Sequence, residues 1–382
     1  MMTRNNNTER DQLEVIAIDQ LVPQDHFVRK IESAIDFSFI YPLVEKLYST
    51  LGRPSIDPVV LIKMTFIQYV FGIRSMRQTI KEIETNVAYR WFLGFGFYTE
   101  VPHFSTFGKN YERRFKETDL FEQIFYRILK EITDKGLLSA DHVFIDSTHV
   151  KASANKRKFE KKTVRKETRA YEAKLQAELN QDRIDNGKKP FPPEKFEKEE
   201  IKKIKESTTD PESGYYVKDE RTKQFAYSFH AATDRNGFVL GSIVTPGNIH
   251  DSHILQPLVE KIMDKVKKPL AIAADAAYKT PAICNFLIEN GITPALPYTR
   301  PKTKEGFIRK HEYVYDEHYN CYICPQGEIL SYTTTTKEGY RQYKSNPLKC
   351  SKCPLLKQCT QSQNHQKLIQ RHIWEDYLEE AE

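Results

Sequence analysis

The sequence predicts an α/β protein preceded by an all-helical block, on three observations. Apolar residues recur at helical spacing from about Asp25 to Thr118. From Val143 onward, short apolar runs of strand length alternate with helical segments, the order of a mixed sheet with helical crossovers. Between those runs lies a long Lys- and Glu-rich stretch, about Ala154 to Ser213, broken by Gly187 and by Pro190, Pro192 and Pro193. The chain of 382 residues is 39% hydrophobic and 29% charged, which allows two or three cores and describes a soluble globular protein with very polar segments.

The elements follow in order. Residues Ile31 to Leu51 carry helical periodicity. Pro54 and Pro58 then punctuate, with Asp57 placed to cap the helix that starts there. Arg74 to Ile83 begins another helix, Ala88 to Phe95 is a short aromatic one, and Ser105-Thr106 can cap a helix over Phe107 to Phe115. A helix-turn-helix and a plain helical bundle both fit this block. Helix Leu120 to Lys135 leads into strand Val143 to Asp146. The polar stretch after it reads as two exposed helices joined by a kinked linker. Gln224 to Thr233 and Phe238 to Val244 flank Asn236-Gly237, a strong hairpin signal. Helix Asp251 to Lys265, strand Leu270 to Asp275, helix Thr280 to Asn290 and strand Ile292 to Leu296 complete the sheet region.

Two of these strands end in aspartate: Val143-Phe144-Ile145-Asp146 and Ala271-Ile272-Ala273-Ala274-Asp275, with 128 residues between the two acids. Each aspartate alone reads equally as a strand-to-loop cap. As a pair at carboxyl ends of neighbouring strands they can hold divalent metal for phosphoryl transfer, with a third carboxylate normally completing such a site. Directly after Asp146, residues 151–169 hold nine Lys or Arg against two Glu. In a chain of net charge +6 this basic run fits nucleic acid better than a membrane, or is a solvated helix face. Lys151, Lys156, Arg157 and Lys158 are the candidate phosphate contacts there, and Lys279 beside Asp275. Arg74 and Arg77 are weaker candidates in the helical block.

His250-Asp251-Ser252-His253 invites a hydrolytic metal reading. Its place at a strand-to-helix junction favours capping by Asp251 or Ser252. Cys321-x-x-Cys324 and Cys350-x-x-Cys353, 25 residues apart, form a pattern for a structural Zn²⁺ in a small β-rich ribbon; reduced, unligated cysteines are the alternative. Cys284 reads as a small core residue. The polar segment Met1 to Gln12 shows no secretory signal. The longest apolar stretch, Val59 to Ile73, is interrupted by Lys63 and Gln68 and is too short to cross a bilayer. The cytoplasm, in contact with the nucleoid, is the expected compartment.

At this point the chain resembles a family. Phe144-Ile145-Asp146-Ser147-Thr148, Thr245-Pro246-Gly247-Asn248-Ile249-His250-Asp251-Ser252 and Ala274-Asp275-Ala276-Ala277-Tyr278 are similar to segments of DDE transposases of the IS1182 and IS5 insertion-sequence type. Gly52-Arg53-Pro54-Ser55 and Pro102-His103-Phe104-Ser105-Thr106-Phe107 extend the resemblance over nearly the whole chain. It implies an all-α domain at 15–120, putting DNA binding there, and a ribonuclease H-like core at 121–300. The polar helical insertion interrupts that core at 154–213. A cysteine-rich, zinc-ribbon-like insertion then occupies 301–370, and the start of a further segment 371–382. It implies Asp146 and Asp275 as ligands of Mg²⁺ or Mn²⁺, and double-stranded DNA as partner, both the terminal inverted repeats of the element and its target. A homodimer on that DNA and no membrane association are also implied. The family's third carboxylate is a glutamate on a later helix in a basic setting, and no such segment follows Leu296. Glu375, Glu379 and Glu380 are the acids on offer, and the expectation is of a C-terminally truncated, impaired transposase. A non-catalytic DNA-binding remnant and a nuclease of the same fold are the alternatives.

Overall fold

The computed structural model describes residues 13–49, 51–52, 54–165, 171–197, 201–298 and 303–382. The polar start, Arg53 and the end of the basic run (Lys166 to Arg169) lie outside the described residues. The chain divides into two compact units, Met1–Ile132 and Thr133–Glu382.

The first unit is helical: α1 (Ile18–Leu21), α2 (Phe27–Ala34), α3 (Ile40–Val44), α4 (Pro58–Val70), α5 (Met76–Thr85), α6 (Val87–Phe92), α7 (Ser105–Asn110) and the start of α8 (Leu120–Asp134). Asp57 starts α4 as expected: its carboxylate accepts the Val59 amide at 2.7 Å and Pro58 takes the first helical position, where no amide is needed. Leu61, Ile62, Met64 and Ile67 of α4 form the centre of the core. Lys63 is buried among them, which is tolerable because its ammonium meets Glu32 at 2.6 Å, the Phe92 carbonyl at 3.1 Å and the Phe37 and Phe92 rings. Two expectations need correction. The helix read over Ile31 to Leu51 is broken, because Asp36 caps a 3₁₀ turn at Phe37–Phe39 by accepting the Ser38 amide. The helix at Ser105 is not capped by Ser105-Thr106 but starts with them, its first amide bonding the His103 ring at 3.3 Å.

The second unit holds two sheets. Among the described residues the larger has eight strands: β1 (His142–Lys151), β2 (Phe159–Arg165), β3 (Ile201–Ser207), β4 (Gly214–Val217), β5 (Lys223–Thr233), β6 (Val239–Pro246), β7 (Ala271–Ala274) and β8 (Thr293–Ala295). Their order is β2-β3-β4-β5-β1-β7-β8, with β6 on β5; β1, β7 and β8 are parallel and the others antiparallel. Asp234 builds the β5–β6 hairpin by accepting the Asn236 and Phe238 amides, both at 2.8 Å. The insertion holds two helices as expected, but they do not span it. Its ends pair as β2 and β3 and widen the sheet, and only the middle is helical, as α9 (Glu172–Asp185) and the short α10 (Glu194–Glu197).

Alternation along the strands decides which face is buried. Val143 and Ile145 of β1, Ala232 of β5, Leu240 of β6 and Ile272 of β7 lie in one core with α11 (Leu255–Lys265) and α12 (Pro281–Glu289). On the other face Phe144, Val150, Phe229 and Val244 are exposed.

The smaller sheet is an antiparallel meander in which β10 (Cys321–Ile323) pairs with β9 (Val314–Asp316) and β11 (Ile329–Thr335). Strand β12 (Tyr340–Ser345) then pairs with β11 and β13 (Leu368–His372). Tyr313, Tyr322, Leu330, Tyr343 and Ile369 pack as its core. Two short helices, α13 (Pro347–Cys350) and α14 (Leu356–Cys359), lie between β12 and β13, and α15 (Glu375–Glu380) follows. Helix α9 packs Leu175 and Leu179 against Ala282 of α12 and Trp374, so the insertion joins the two sheets. Asp182 of α9 is buried and accepts from Thr335 at 2.6 Å and from Arg341 at 2.7 Å.

Candidate active site

Strands β1 and β7 run parallel with Ile145 opposite Ala274, and each is followed by an aspartate, so Asp146 and Asp275 stand on neighbouring positions at the carboxyl end of the sheet. Alternation puts Asp146 on the face of Phe144, opposite to Val143 and Ile145, and Asp275 on the same face as its neighbour. Both are exposed. Each carboxylate is oriented by one backbone amide. Ser147 donates to Asp146 Oδ1 at 2.7 Å, and Ala277 to Asp275 Oδ1 at 3.0 Å, where Asp275 caps the 3₁₀ turn Ala276–Tyr278. Among the described residues neither has a cation paired with it.

On the opposite face, under this pair, lies a buried polar cluster. His230 is fully buried, with Nδ1 3.2 Å from the Tyr278 hydroxyl and Nε2 3.2 Å from Thr245 Oγ1. Ser147 donates from Oγ to Asp251 Oδ2 at 2.9 Å, while Asp251 Oδ1 approaches His230 Nδ1 at 3.9 Å. Burial, opposed by Asp251, lowers the His230 pKa. Burial first, and then the charges of Asp251, Asp275 and Asp146, push the Tyr278 phenol far above its usual range. The expected capping by Asp251 or Ser252 is corrected: His250 caps the turn Asp251–His253, its ring accepting the Ser252 amide at 3.2 Å. Asp251 turns instead to β1. Sequence reasoning missed His230 and this role of Asp251; a histidine among alternating apolar residues of β5 was the only signal.

Beside the cluster a groove of about 620 Å³ is lined by His149, Lys203, Lys205, Tyr216, Asn248 and Asp251, among others. The His149 and Tyr216 rings stack at 3.7 Å. Gly247 closes one wall against β5, its amide bonding the Ala226 carbonyl at 2.8 Å, and a Cβ there would meet that same oxygen.

Family comparison now bears on this arrangement. Residues 138–348 match the model of a transposase DDE domain, more than half of the chain. The chain belongs to the DDE transposase family. A second transposase DDE domain model matches residues 323–382, and residues 16–113 match a transposase domain called DUF772. Among solved structures, the Mos1 transposase paired-end complex with left transposon end is similar at 12% identity and a TM-score of 0.20. It covers 72% of this chain and 69% of that one, a likeness too distant to bear on the fold. No curated protein matches.

A DDE transposase works with divalent metal, and two solvent-facing carboxylates fit a hard cation that keeps most of its waters. Among the described residues, no three His, Cys, Asp or Glu side chains converge closely enough to hold a metal by themselves. Of the three C-terminal acids on offer, Glu380 is exposed and the other two form ion pairs. Glu375 binds Lys310 at 2.6 Å, and Glu379 forks onto Arg371 at 2.5 and 3.0 Å. Lys279, read as a phosphate contact, has its side chain buried and faces Glu382 at 3.0 Å.

Lys151, Lys156, Arg157 and Lys158 are exposed, the last three in a turn held by Asn155, which accepts the Arg157 amide at 2.9 Å. In the helical unit Arg74 is exposed and Arg77 lies 4.4 Å over the Phe104 ring, beside the Ser75 cap of α5. The zinc expectation at Cys321, Cys324, Cys350 and Cys353 is not met by a gathered ligand set among the described residues. Cys324 instead packs with Cys359 against the aromatic core, where the Cys359 sulfur lies 3.1 Å from the Tyr313 hydroxyl, and Cys321 is buried in β10. Cys284 is fully buried in α12, where burial pushes its thiol up to about 11.

Proposed function

We propose that this chain is the transposase of an insertion sequence, acting on double-stranded DNA by cleavage and strand transfer through the Asp146–Asp275 pair. The observation that carries this reading is the adjacency of those two exposed carboxylates on parallel strands, within a chain of the DDE family. Mg²⁺, or Mn²⁺ in its place, would be held by both aspartates. When bound it supplies Lewis-acid activation of the attacking oxygen and stabilisation of the leaving one. The chain's own residues do the rest. The Ser147 and Ala277 amides fix the two carboxylates in direction. The exposed Lys151, Lys156, Arg157 and Lys158 neutralise DNA phosphates beside them, and the groove at Lys203, His149 and Tyr216 gives room for a strand.

In this reading residues 15–120 recognise the terminal inverted repeats, with Arg74 and Arg77 on phosphates, and residues 121–300 carry the chemistry on ends and target. Residues 301–370 and 371–382 brace that core. The chain acts as a homodimer on DNA, in the cytoplasm at the nucleoid.

Cleavage by this chain is expected to be weak, because among the described residues no third carboxylate gathers with the pair, and Glu375 and Glu379 are tied to Lys310 and Arg371. The same ion pairs favour a second reading, a protein that binds element ends without cutting them. Incubation with end-containing plasmid and Mg²⁺ separates the two. Slow nicking that disappears in Asp146→Asn supports the first reading, and binding without nicking supports the second. Cleavage indifferent to Asp146→Asn, or to chelation of the metal, overturns the assignment of the pair.

A further inference from the structure

We infer that Ser147, His230 of β5, Asp251 of the groove wall and Tyr278 act as one positioning unit around the buried His230 and Tyr278. It sets the spacing of the Asp146 and Asp275 carboxylates, and with it the affinity of the pair for a divalent cation. This rests on the reading of the pair as a metal-holding site.

Each aspartate is oriented by backbone, and both backbones are tied to the same node. On one side, the Ser147 amide orients Asp146, and the Ser147 hydroxyl is held by Asp251 at 2.9 Å. On the other, Asp275 caps the turn Ala276–Tyr278, and that turn is anchored by the Tyr278 hydroxyl, which sits 3.2 Å from His230 Nδ1, the atom that Asp251 approaches at 3.9 Å. His230 lies opposite Ser147 in the β1–β5 register and is locked from behind by Thr245 of β6. Five polar side chains from five segments therefore converge directly under the two acids.

Cohesion alone does not call for polar groups here. Two and four residues before Ser147, the same face of β1 buries Ile145 and Val143, and apolar packing carries no desolvation cost. Buried polar networks fix geometry when every member is satisfied, which suits a pair of like charges that must keep one separation. Metal ligands elsewhere depend on such supporting groups by 10- to 100-fold in affinity or activity.

The test is Mn²⁺ binding by the full chain, followed through the paramagnetic resonance signal of the free ion, with thermal unfolding of each variant alongside. Tyr278→Phe removes one oxygen, Ser147→Ala another, and Asp251→Asn the charge. Each single variant is expected to weaken Mn²⁺ binding by about 10-fold. The Ser147→Ala/Tyr278→Phe double variant is expected to be no weaker than the worse single, because both cuts fall in one unit. Unchanged Mn²⁺ affinity in a folded Tyr278→Phe protein overturns the inference, as does a double variant whose loss is the product of the singles. A lowered melting temperature with unchanged affinity is the result a purely structural cluster would give, and it too overturns it. Failure of the parent reading looks different: the unaltered chain then binds no Mn²⁺, or binds it as well after Asp146→Asn.

Discussion

The place where the β1–β7 pairing ends and the seam between α9 and the small sheet treat aspartate in opposite ways. Asp182, in the seam, is 8% exposed and held by the Arg341 guanidinium and the Thr335 hydroxyl. Asp146 and Asp275 face solvent side by side, and among the described residues backbone amides are their hydrogen-bond partners. One arrangement joins opposite charges and holds two layers together. The other leaves like charges adjacent, a mutual repulsion that a bound cation relieves. Within a single unit, the partner rather than the residue type decides whether an acid serves architecture or chemistry.

The largest expected effect tests the exposed pair. Asp146→Asn or Asp275→Asn should lower Mn²⁺ affinity by more than the roughly 100-fold that loss of a supporting group costs. The same variants should leave urea unfolding within about 0.5 kcal/mol of the parent, as for an exposed side chain. A large loss of stability there would erase the contrast with Asp182. Asp182→Asn should do the reverse, destabilising the fold by about 3 kcal/mol, because Arg341 is left without its carboxylate, while Mn²⁺ binding is retained.

A third, smaller effect comes from pH in the same seam. His372 is buried beside Trp374, whose amide it accepts at 3.1 Å, and burial lowers its pKa to about 4 from an ordinary 6.5. Above pH 6.5 neither folded nor unfolded chain protonates it, and nothing is lost. As pH falls through 6.5 the unfolded chain takes up a proton that the folded one refuses. Stability should then decline between pH 6.5 and 4, by roughly 3 kcal/mol. His372→Gln should flatten that part of the pH profile of the melting temperature.

The smallest effect concerns the basic turn. Replacing Lys156, Arg157 and Lys158 together by Ala should make the log–log dependence of DNA affinity on salt shallower by up to about 3, one for each phosphate no longer neutralised. Mn²⁺ binding should not change. An unaltered salt slope would place the DNA backbone elsewhere on the protein.

The aspartate pair was legible because short apolar runs ending in an acid are a local signal, and the strand order between them followed from alternating strand and helix lengths. The reach of β1 was not. It continues through Thr148 and Val150 to Lys151 because β5 pairs with it from Phe144 to Lys151, a tertiary fact invisible in a run that turns polar after Asp146. The ends of the insertion were missed for the same reason. Its Lys- and Glu-rich ends favour helix locally, yet Lys161 lies opposite Lys205 and Lys162 bonds Glu206 across two paired strands. Asp182 looked like any polar residue on an exposed helix; only Leu175 and Leu179, four apart, hinted that α9 had a buried side. The cluster under the site was out of reach, since Ser147 meets Asp251 at a separation of 104 residues.

Strand β1 sits between β5, whose first residue lies 72 positions after Lys151 in the chain, and β7, which begins 120 positions after it. Pairings at such separations are slow to close, because the intervening chain must first be looped out. During synthesis Asp146 leaves the ribosome well before either neighbouring strand exists. A nascent chain of this protein therefore carries its basic turn long before it can hold its two acids together.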